Sequence, residues 1–159
     1  MQAKMIAGHE LTPGKTVKDH IHVEGTELHV PHVLLCGEQP GPTVLITAGI
    51  HNAEYVGIQA AIELSNELDV STLRGNVVLV PLVNRSGFEN RTMSRVFEDG
   101  KNLNRVFPGD REGSEAERLA HMLFEVFIRN ADAYIDLHCG DGYETVSYTH
   151  LRAHETDSY

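Results

Sequence analysis

Apolar runs and helical periods alternate along the chain from residue 43 onward. Continuous runs rich in β-branched residues at 43–48 and 75–81 predict strands that are covered on both faces. Between them, apolar residues recur at helical spacing over 53–68, which predicts a helix. A second helix is predicted from Ser114, where Ser-x-x-Glu is the pattern of a capping box. A third buried strand is predicted over 133–137.

The first forty residues have a different pattern. Residues 16–23 alternate loosely, and residues 28–36 are rich in Val and Leu, so both stretches predict strands. Gln39-Pro-Gly-Pro42 is a strong breaker of regular structure. We therefore expect an N-terminal β-rich segment over residues 1–40, with the next segment beginning at residue 41.

The order of the predicted elements indicates the fold class. Strand, helix, strand, long loop, helix, strand is typical of an α/β domain, here with a mixed, mostly parallel sheet flanked by helices. In such sheets ligands bind beyond the carboxyl ends of the strands. The stretch 82–113 has few periodic positions. A loop of this length is uncommon in a compact domain unless it is functional.

Composition narrows the possible partners. The 159 residues are 41% hydrophobic, which suits one domain with a core, and the net charge of −10 argues against a nucleic-acid partner. No apolar stretch reaches the roughly 18 to 20 residues that span a bilayer, and the N-terminus lacks a secretory signal. Two cysteines are too few for a disulfide scaffold. We expect a cytoplasmic protein with no membrane partner.

Candidate metal ligands follow two of the predicted strands. His51 and Glu54 come directly after the apolar run 43–50, and His138 comes directly after 133–137. Two histidines and a carboxylate are the ligands of a catalytic zinc site, which leaves one position for water. His-x-x-Glu alone is weak, but its place at a strand-to-helix junction strengthens it. The alternative is a capped helix start with a surface histidine.

His138 and two residues near it, Cys139 and Asp136, are each interpreted separately. His138 taken alone is more often a core histidine than a ligand. Cys139 is expected to be a small buried thiol, because a fourth protein ligand would fill the position that water needs. Asp136 shares a strand face with His138 and is a candidate hydrogen-bond partner for it.

Three motifs in order resemble a known family. They are Gly49-Ile-His-Asn-Ala-Glu54, Asn102-Leu-Asn-Arg-Val-Phe-Pro-Gly109 and Asp136-Leu-His138. They are similar to motifs of the zinc-carboxypeptidase superfamily, and most of all to its succinylglutamate desuccinylase/aspartoacylase branch, which hydrolyses amides of N-acyl amino acids. The resemblance covers about residues 43–140. Asn52 stands where the family usually has glycine, which leaves the ligands untouched.

The resemblance implies roles for individual residues. It makes His51, Glu54 and His138 the ligands of one Zn²⁺ per chain. It makes Asn104 and Arg105 the residues that bind a substrate carboxylate. This agrees with the ability of a guanidinium to bind a carboxylate through two parallel hydrogen bonds. The alternative for this pair is a loop held by an ion pair.

A further arginine of the family stabilises the oxyanion that develops on the scissile carbonyl. Arg91 and Arg95 both lie near the corresponding place in the sequence. We favour Arg91 for this role.

The implied function is a zinc-dependent deacylase that cleaves the amide bond of a small, carboxylate-bearing N-acyl amino acid or related compound. Two alternatives stay open: a metallocarboxypeptidase that acts on peptides, and a non-catalytic zinc-binding domain. The acyl group, the amine and the oligomeric state are also open.

The last residues break with the pattern before them. Residues 146–159 resemble a translated sequencing adapter, so we expect a non-native tail and assign no function to His150 and His154. Residues 41–145 are then the N-terminal part of a zinc hydrolase domain. In the family the water-activating glutamate lies well downstream of the third ligand, and the position of Glu144 does not match. We therefore expect this chain to lack the general base, to hold zinc weakly and to turn over little.

Overall fold

The computed structural model describes residues 4–140. Glu144, His150, His154 and the predicted tail lie outside the described residues. Most of the strands form one five-stranded sheet in the order β3-β4-β6-β5-β7, and a short hairpin of β1 and β2 precedes it. The strands are β1 (Met5–Ile6), β2 (His9–Glu10), β3 (Thr16–His22), β4 (His29–Cys36), β5 (Gln39–Ala48), β6 (Arg74–Val80) and β7 (Ala133–Leu137).

The sheet is mixed, as predicted. β3, β4 and β6 pair antiparallel, whereas β6, β5 and β7 pair parallel. The helices are α1 (Tyr55–Glu67), α2 (Arg85–Asn90) and α3 (Glu115–Met122), with a 3₁₀ turn at Leu103–Arg105. After α3 the helical path continues through a π segment (Leu123–Phe127) and a 3₁₀ turn (Ile128–Asn130). The predicted α/β class is confirmed, with parallel pairing confined to the β6-β5-β7 half.

Helices pack on both faces of the sheet. Alternate strand residues face opposite sides, so Leu34 and Leu45 join Leu119 and Phe127 in one core, on the side of α3. Their counterparts on the other face pack against Ile58 and Ala61 of α1, and they include Val33, Leu35, Ala48 and Leu79. Burial on both faces accounts for the continuous apolar runs in the sequence.

The predicted capping box at the start of α3 is confirmed. Glu117 Oε2 accepts hydrogen bonds from the Ser114 backbone N–H at 2.8 Å and from the Ser114 hydroxyl at 2.9 Å. These bonds, together with that of Lys101 Nζ at 3.0 Å, lower the pKa of the Glu117 carboxyl to about 2.

The breaker predicted at Gln39–Pro42 is wrong, because these residues begin β5. Gln39 pairs with Arg74 and Thr43 with Asn76, so four steps along β5 match two along β6. The extra residues form an irregularity of the bulge type, where a proline without an N–H costs no ladder hydrogen bond.

The prediction that the strand at 133–137 is buried is also wrong for the described part of the chain. β7 lies at the edge of the sheet, and Ile135 is 46% exposed. Within residues 4–140, no helix has the length and apolar character to cross a membrane.

Candidate metal centre

The centre lies where β5 and β7 end. These strands are parallel neighbours, and Ala48 pairs with Leu137. The carboxyl ends of both strands therefore lie next to each other. After β5 the chain turns at Gly49, whose φ is +67°. Glycine suits this turn, because residues with a side chain rarely adopt such a positive φ.

The structure brings the three predicted ligands together. His51 Nδ1 lies 2.8 Å from Glu54 Oε1, and His138 Nδ1 lies 3.0 Å from Glu54 Oε2. The two imidazole centroids are 5.2 Å apart, and one ligand atom from each of the three side chains lies within 4.8 Å of the others. Glu54 is buried. A group of this kind can hold a metal ion.

The outer nitrogen of each imidazole is also held. His138 Nε2 donates to Asp136 Oδ2 at 2.6 Å, so Asp136 occupies the position predicted for it. His51 Nε2 lies 3.2 Å from Asn102 Oδ1, a contact that the sequence analysis missed. Ligand histidines commonly have such partners, which fix the ring and leave the other nitrogen for the metal.

Asp136 is itself part of a chain of hydrogen bonds. Thr47 Oγ1 donates to Asp136 Oδ1 at 2.6 Å, and the Tyr134 hydroxyl lies 3.0 Å from Thr47 Oγ1. Burial, together with the nearby Asp136 charge, raises the pKa of the Tyr134 phenol, so it stays protonated and can donate. Thr47 of β5 pairs with Asp136 of β7, and Tyr134 lies two residues earlier on β7. No sequence motif indicated Thr47 or Tyr134.

The carboxylates favour positive charge between them. The hydrogen bond from His138 to Asp136, with a smaller contribution from the Glu54 charge, raises the pKa of His138 to about 8 against the opposing effect of burial. A metal ion must displace that proton to bind Nδ1. Two imidazole nitrogens and a carboxylate oxygen suit Zn²⁺ in a site with an open position, so this donor set fits the predicted ion.

Cys139 does not match its prediction as a buried thiol. It is only partly buried, and its backbone N–H, not its sulfur, contacts the centre by donating to Glu54 Oε2 at 2.7 Å. The residue follows directly after the third ligand, so its amide lies beside the carboxylate.

The loop with the two candidate arginines lies against residues 49–54, the turn that carries His51 and Glu54 and is called the metal turn below. The Ala53 N–H donates to the carbonyl of Met93 at 2.9 Å. Met93 lies midway between Arg91 and Arg95 in the sequence. Arg91 is exposed and ends α2 in a left-handed conformation with φ of 57°. The Arg95 guanidinium donates to the Gly100 carbonyl at 2.8 Å.

Asn104 and Arg105 lie on the 3₁₀ turn next to the centre. Asn102 Oδ1, which contacts His51, also accepts from the Asn104 N–H at 2.9 Å and so caps that turn. Arg105 is exposed, and within residues 4–140 no carboxylate forms an ion pair with it.

The sequence profile of the succinylglutamate desuccinylase/aspartoacylase catalytic domain matches residues 40–158. The chain belongs to this family. The match covers all the motifs on which the resemblance was based, and it extends into the stretch 146–159 as far as residue 158.

Named relatives agree with this assignment. An N-α-acetyl-L-2,4-diaminobutyric acid deacetylase of Halomonas elongata is 42% identical over 101 residues, which are 63% of this chain and 29% of the deacetylase. The crystal structure of an aspartoacylase family protein of Mesorhizobium loti has a TM-score of 0.74 at 33% identity, covering 87% of this chain and 44% of its own.

A succinylglutamate desuccinylase/aspartoacylase of Rhodobacter sphaeroides has a TM-score of 0.72 at 28% identity, covering 79% of this chain and 41% of its own. The chain thus spans less than half the length of these relatives. The residues that match the family, 40–158, contain His51, Glu54 and His138.

Proposed function

We propose that the intact protein is a zinc-dependent deacylase that hydrolyses the amide bond of a small N-acyl amino acid or related compound. The observation that carries this proposal is the cluster of His51, Glu54 and His138 just beyond the carboxyl ends of two parallel strands. A curated relative named for deacetylation of N-α-acetyl-L-2,4-diaminobutyric acid supports the substrate class.

In this proposal His51, Glu54 and His138 hold one Zn²⁺. When bound, the ion supplies Lewis-acid polarisation of the scissile carbonyl and lowers the pKa of water from 15.7 to about 7. Asp136 and Asn102 keep the two imidazoles oriented through their outer nitrogens. We assign the general base to a glutamate downstream of His138, as the family resemblance implies.

Asn104 and Arg105 are assigned to the substrate carboxylate. Arg105 is exposed, and its guanidinium makes one long hydrogen bond, from a terminal nitrogen to the Asn104 carbonyl at 3.3 Å. A guanidinium can offer a carboxylate two parallel donors, the geometry that a carboxylate accepts best. Asn102 links the 103–105 turn to His51, so a carboxylate bound there would place its amide beside the metal.

Arg91 is assigned to the oxyanion. The contacts favour it over Arg95, because the Arg95 guanidinium already donates to the Gly100 carbonyl. We also place the enzyme in the cytoplasm, with neither nucleic acid nor membrane as a partner. The net charge of −10 and the two free cysteines support this placement.

The zinc content of purified variants tests the metal assignment. His51→Ala and His138→Ala each remove one of three protein ligands, so we expect each to bind much less zinc than the wild type, as measured by elemental analysis after equilibrium dialysis against a fixed concentration of zinc. His29→Ala, at an exposed histidine of β4, should bind as much zinc as the wild type. Undiminished zinc in both ligand variants would overturn the assignment.

Binding of a substrate probe tests the substrate class. We expect N-α-acetyl-L-2,4-diaminobutyric acid to bind the zinc-loaded chain in titration calorimetry. Arg105→Lys should weaken this binding about tenfold, since a charge-assisted fork is worth about 1.5–3 kcal/mol.

Arg129→Lys is the matched control, because Arg129 is an exposed arginine paired with Glu125 on the helical path after α3. Equal affinity in the Arg105 and Arg129 variants would exclude Arg105 as the carboxylate grip. Lack of binding to the wild-type chain would contradict the substrate class.

A further inference from the structure

Two asparagine side chains are buried behind the metal turn. Asn84, just after β6, is 0% exposed, and Asn52, between His51 and Glu54 in sequence, is 2% exposed. Buried amides need hydrogen-bond partners for both their donors and their acceptor. The partners of Asn84 therefore define what this residue holds in place.

The Asn84 amide connects three segments. Its Nδ2 donates to Asn52 Oδ1 at 3.0 Å and to the Arg95 carbonyl at 3.0 Å, and its Oδ1 accepts from the Gly87 N–H at 3.0 Å. The metal turn, the first turn of α2 and the loop between Arg91 and Asn102 are thus joined by one side chain.

The packing around this amide is tight. A Cβ added to Gly87 would lie 2.6 Å from Asn84 Nδ2 and 2.6 Å from the Arg95 carbonyl oxygen. The Asn84 N–H also donates to the Gly49 carbonyl at 3.0 Å, so the backbone of Asn84 is tied to the end of β5. Asn84 therefore has one fixed position relative to the turn that carries His51 and Glu54.

We propose that Asn84 is a positioning residue for the metal centre. Through Asn52 it fixes the turn between the first two ligands, and through the Arg95 carbonyl it fixes the loop that carries Arg91. This inference rests on the proposed function. Only an amide satisfies all three contacts, because two acceptors face Nδ2 and one donor faces Oδ1.

The first test is Asn84→Asp in the full chain. A carboxylate keeps the acceptor for Gly87 but places an anion against Asn52 Oδ1 and the Arg95 carbonyl. We expect the Kd for zinc, measured by competition with a chromogenic chelator, to rise about tenfold, in line with other residues that orient metal ligands. Asn76→Asp, at the other end of β6, is the matched control and should leave the zinc Kd unchanged.

The second test is Asn52→Ala, which removes the acceptor and leaves the Asn84 bonds to Gly87 and Arg95. It should also raise the Kd for zinc. If Asn84→Asp does not fold, Asn52→Ala alone tests the proposal. When both variants fold, the double variant should bind zinc no more weakly than the weaker single one, because both changes break the same contact.

An unchanged zinc Kd in the folded single variants, even with a lower melting temperature, would overturn the inference, since that result describes a purely structural residue. Additive effects in the double variant would overturn it too. If His51→Ala also retained zinc, the proposed function itself would fail. If His51→Ala lost zinc while the asparagine variants kept it, only the positioning role would fail.

Discussion

Two histidines of this chain, His138 and His32, have opposite surroundings. The His138 imidazole contacts two carboxylates, which raise its pKa to about 8. The His32 imidazole is buried against Phe127, with ring centroids 5.7 Å apart, and neither ring nitrogen has a hydrogen-bond partner among the described residues. Burial lowers the pKa of His32. One residue type thus lies between carboxylates in the candidate metal centre and, elsewhere, in an apolar core.

The His32 environment predicts a loss of stability in acid. Its pKa is below 6.5 in the folded protein, so the unfolded state takes up the proton first as the pH falls. The free energy of unfolding should therefore decrease below pH 6.5, by at most about 1.4 kcal/mol per pH unit from this group. Urea denaturation of His32→Leu between pH 5 and pH 7 should show a weaker pH dependence than the wild type.

His29→Leu provides the control for that comparison, because His29 is an exposed histidine of the same strand. If the two variants have the same pH dependence as the wild type, His32 is not the group responsible.

At the scale of elements, the sequence predicted the parts with a clear period. The strands at 16–22, 29–36 and 74–80 and the helix α1 agree with the apolar pattern to within about two residues. α2 and the 3₁₀ turn at 103–105 were missed inside the stretch predicted to be irregular. Six and three residues are too few to show a helical period. Asn84, which caps α2, was the local signal that would have located it.

The candidate site divides in the same way. The candidate ligands could be predicted because each follows an apolar run, and parallel neighbouring strands end on the same side of the sheet. The contact of Asn102 with His51 and that of Asn84 with Asn52 were not predicted. The first joins residues 51 positions apart in the chain, and the second joins residues 32 positions apart. Such pairs depend on how the loop folds back, which no local pattern encodes.

At the scale of the molecule, the centre lies beyond the carboxyl ends of β5 and β7, the last two strands in the order of the described sheet. β5 is covered by neighbours on both sides, whereas β7, which delivers His138, is an outer strand of the five. The geometry of the three candidate ligands therefore depends on the β5–β7 pairing, whose register runs from Val44 with Ala133 to Ala48 with Leu137. Residues far apart in the chain meet at a single point because of this one pairing.

The central claim is that His51, Glu54 and His138 bind one zinc ion together. Zinc K-edge X-ray absorption of the zinc-loaded chain tests it most directly. We expect two imidazole nitrogens and a carboxylate oxygen at about 2.0–2.2 Å, with one imidazole fewer in His138→Ala. Sulfur at about 2.3 Å, or a wild-type spectrum with fewer than two imidazoles, would contradict the account.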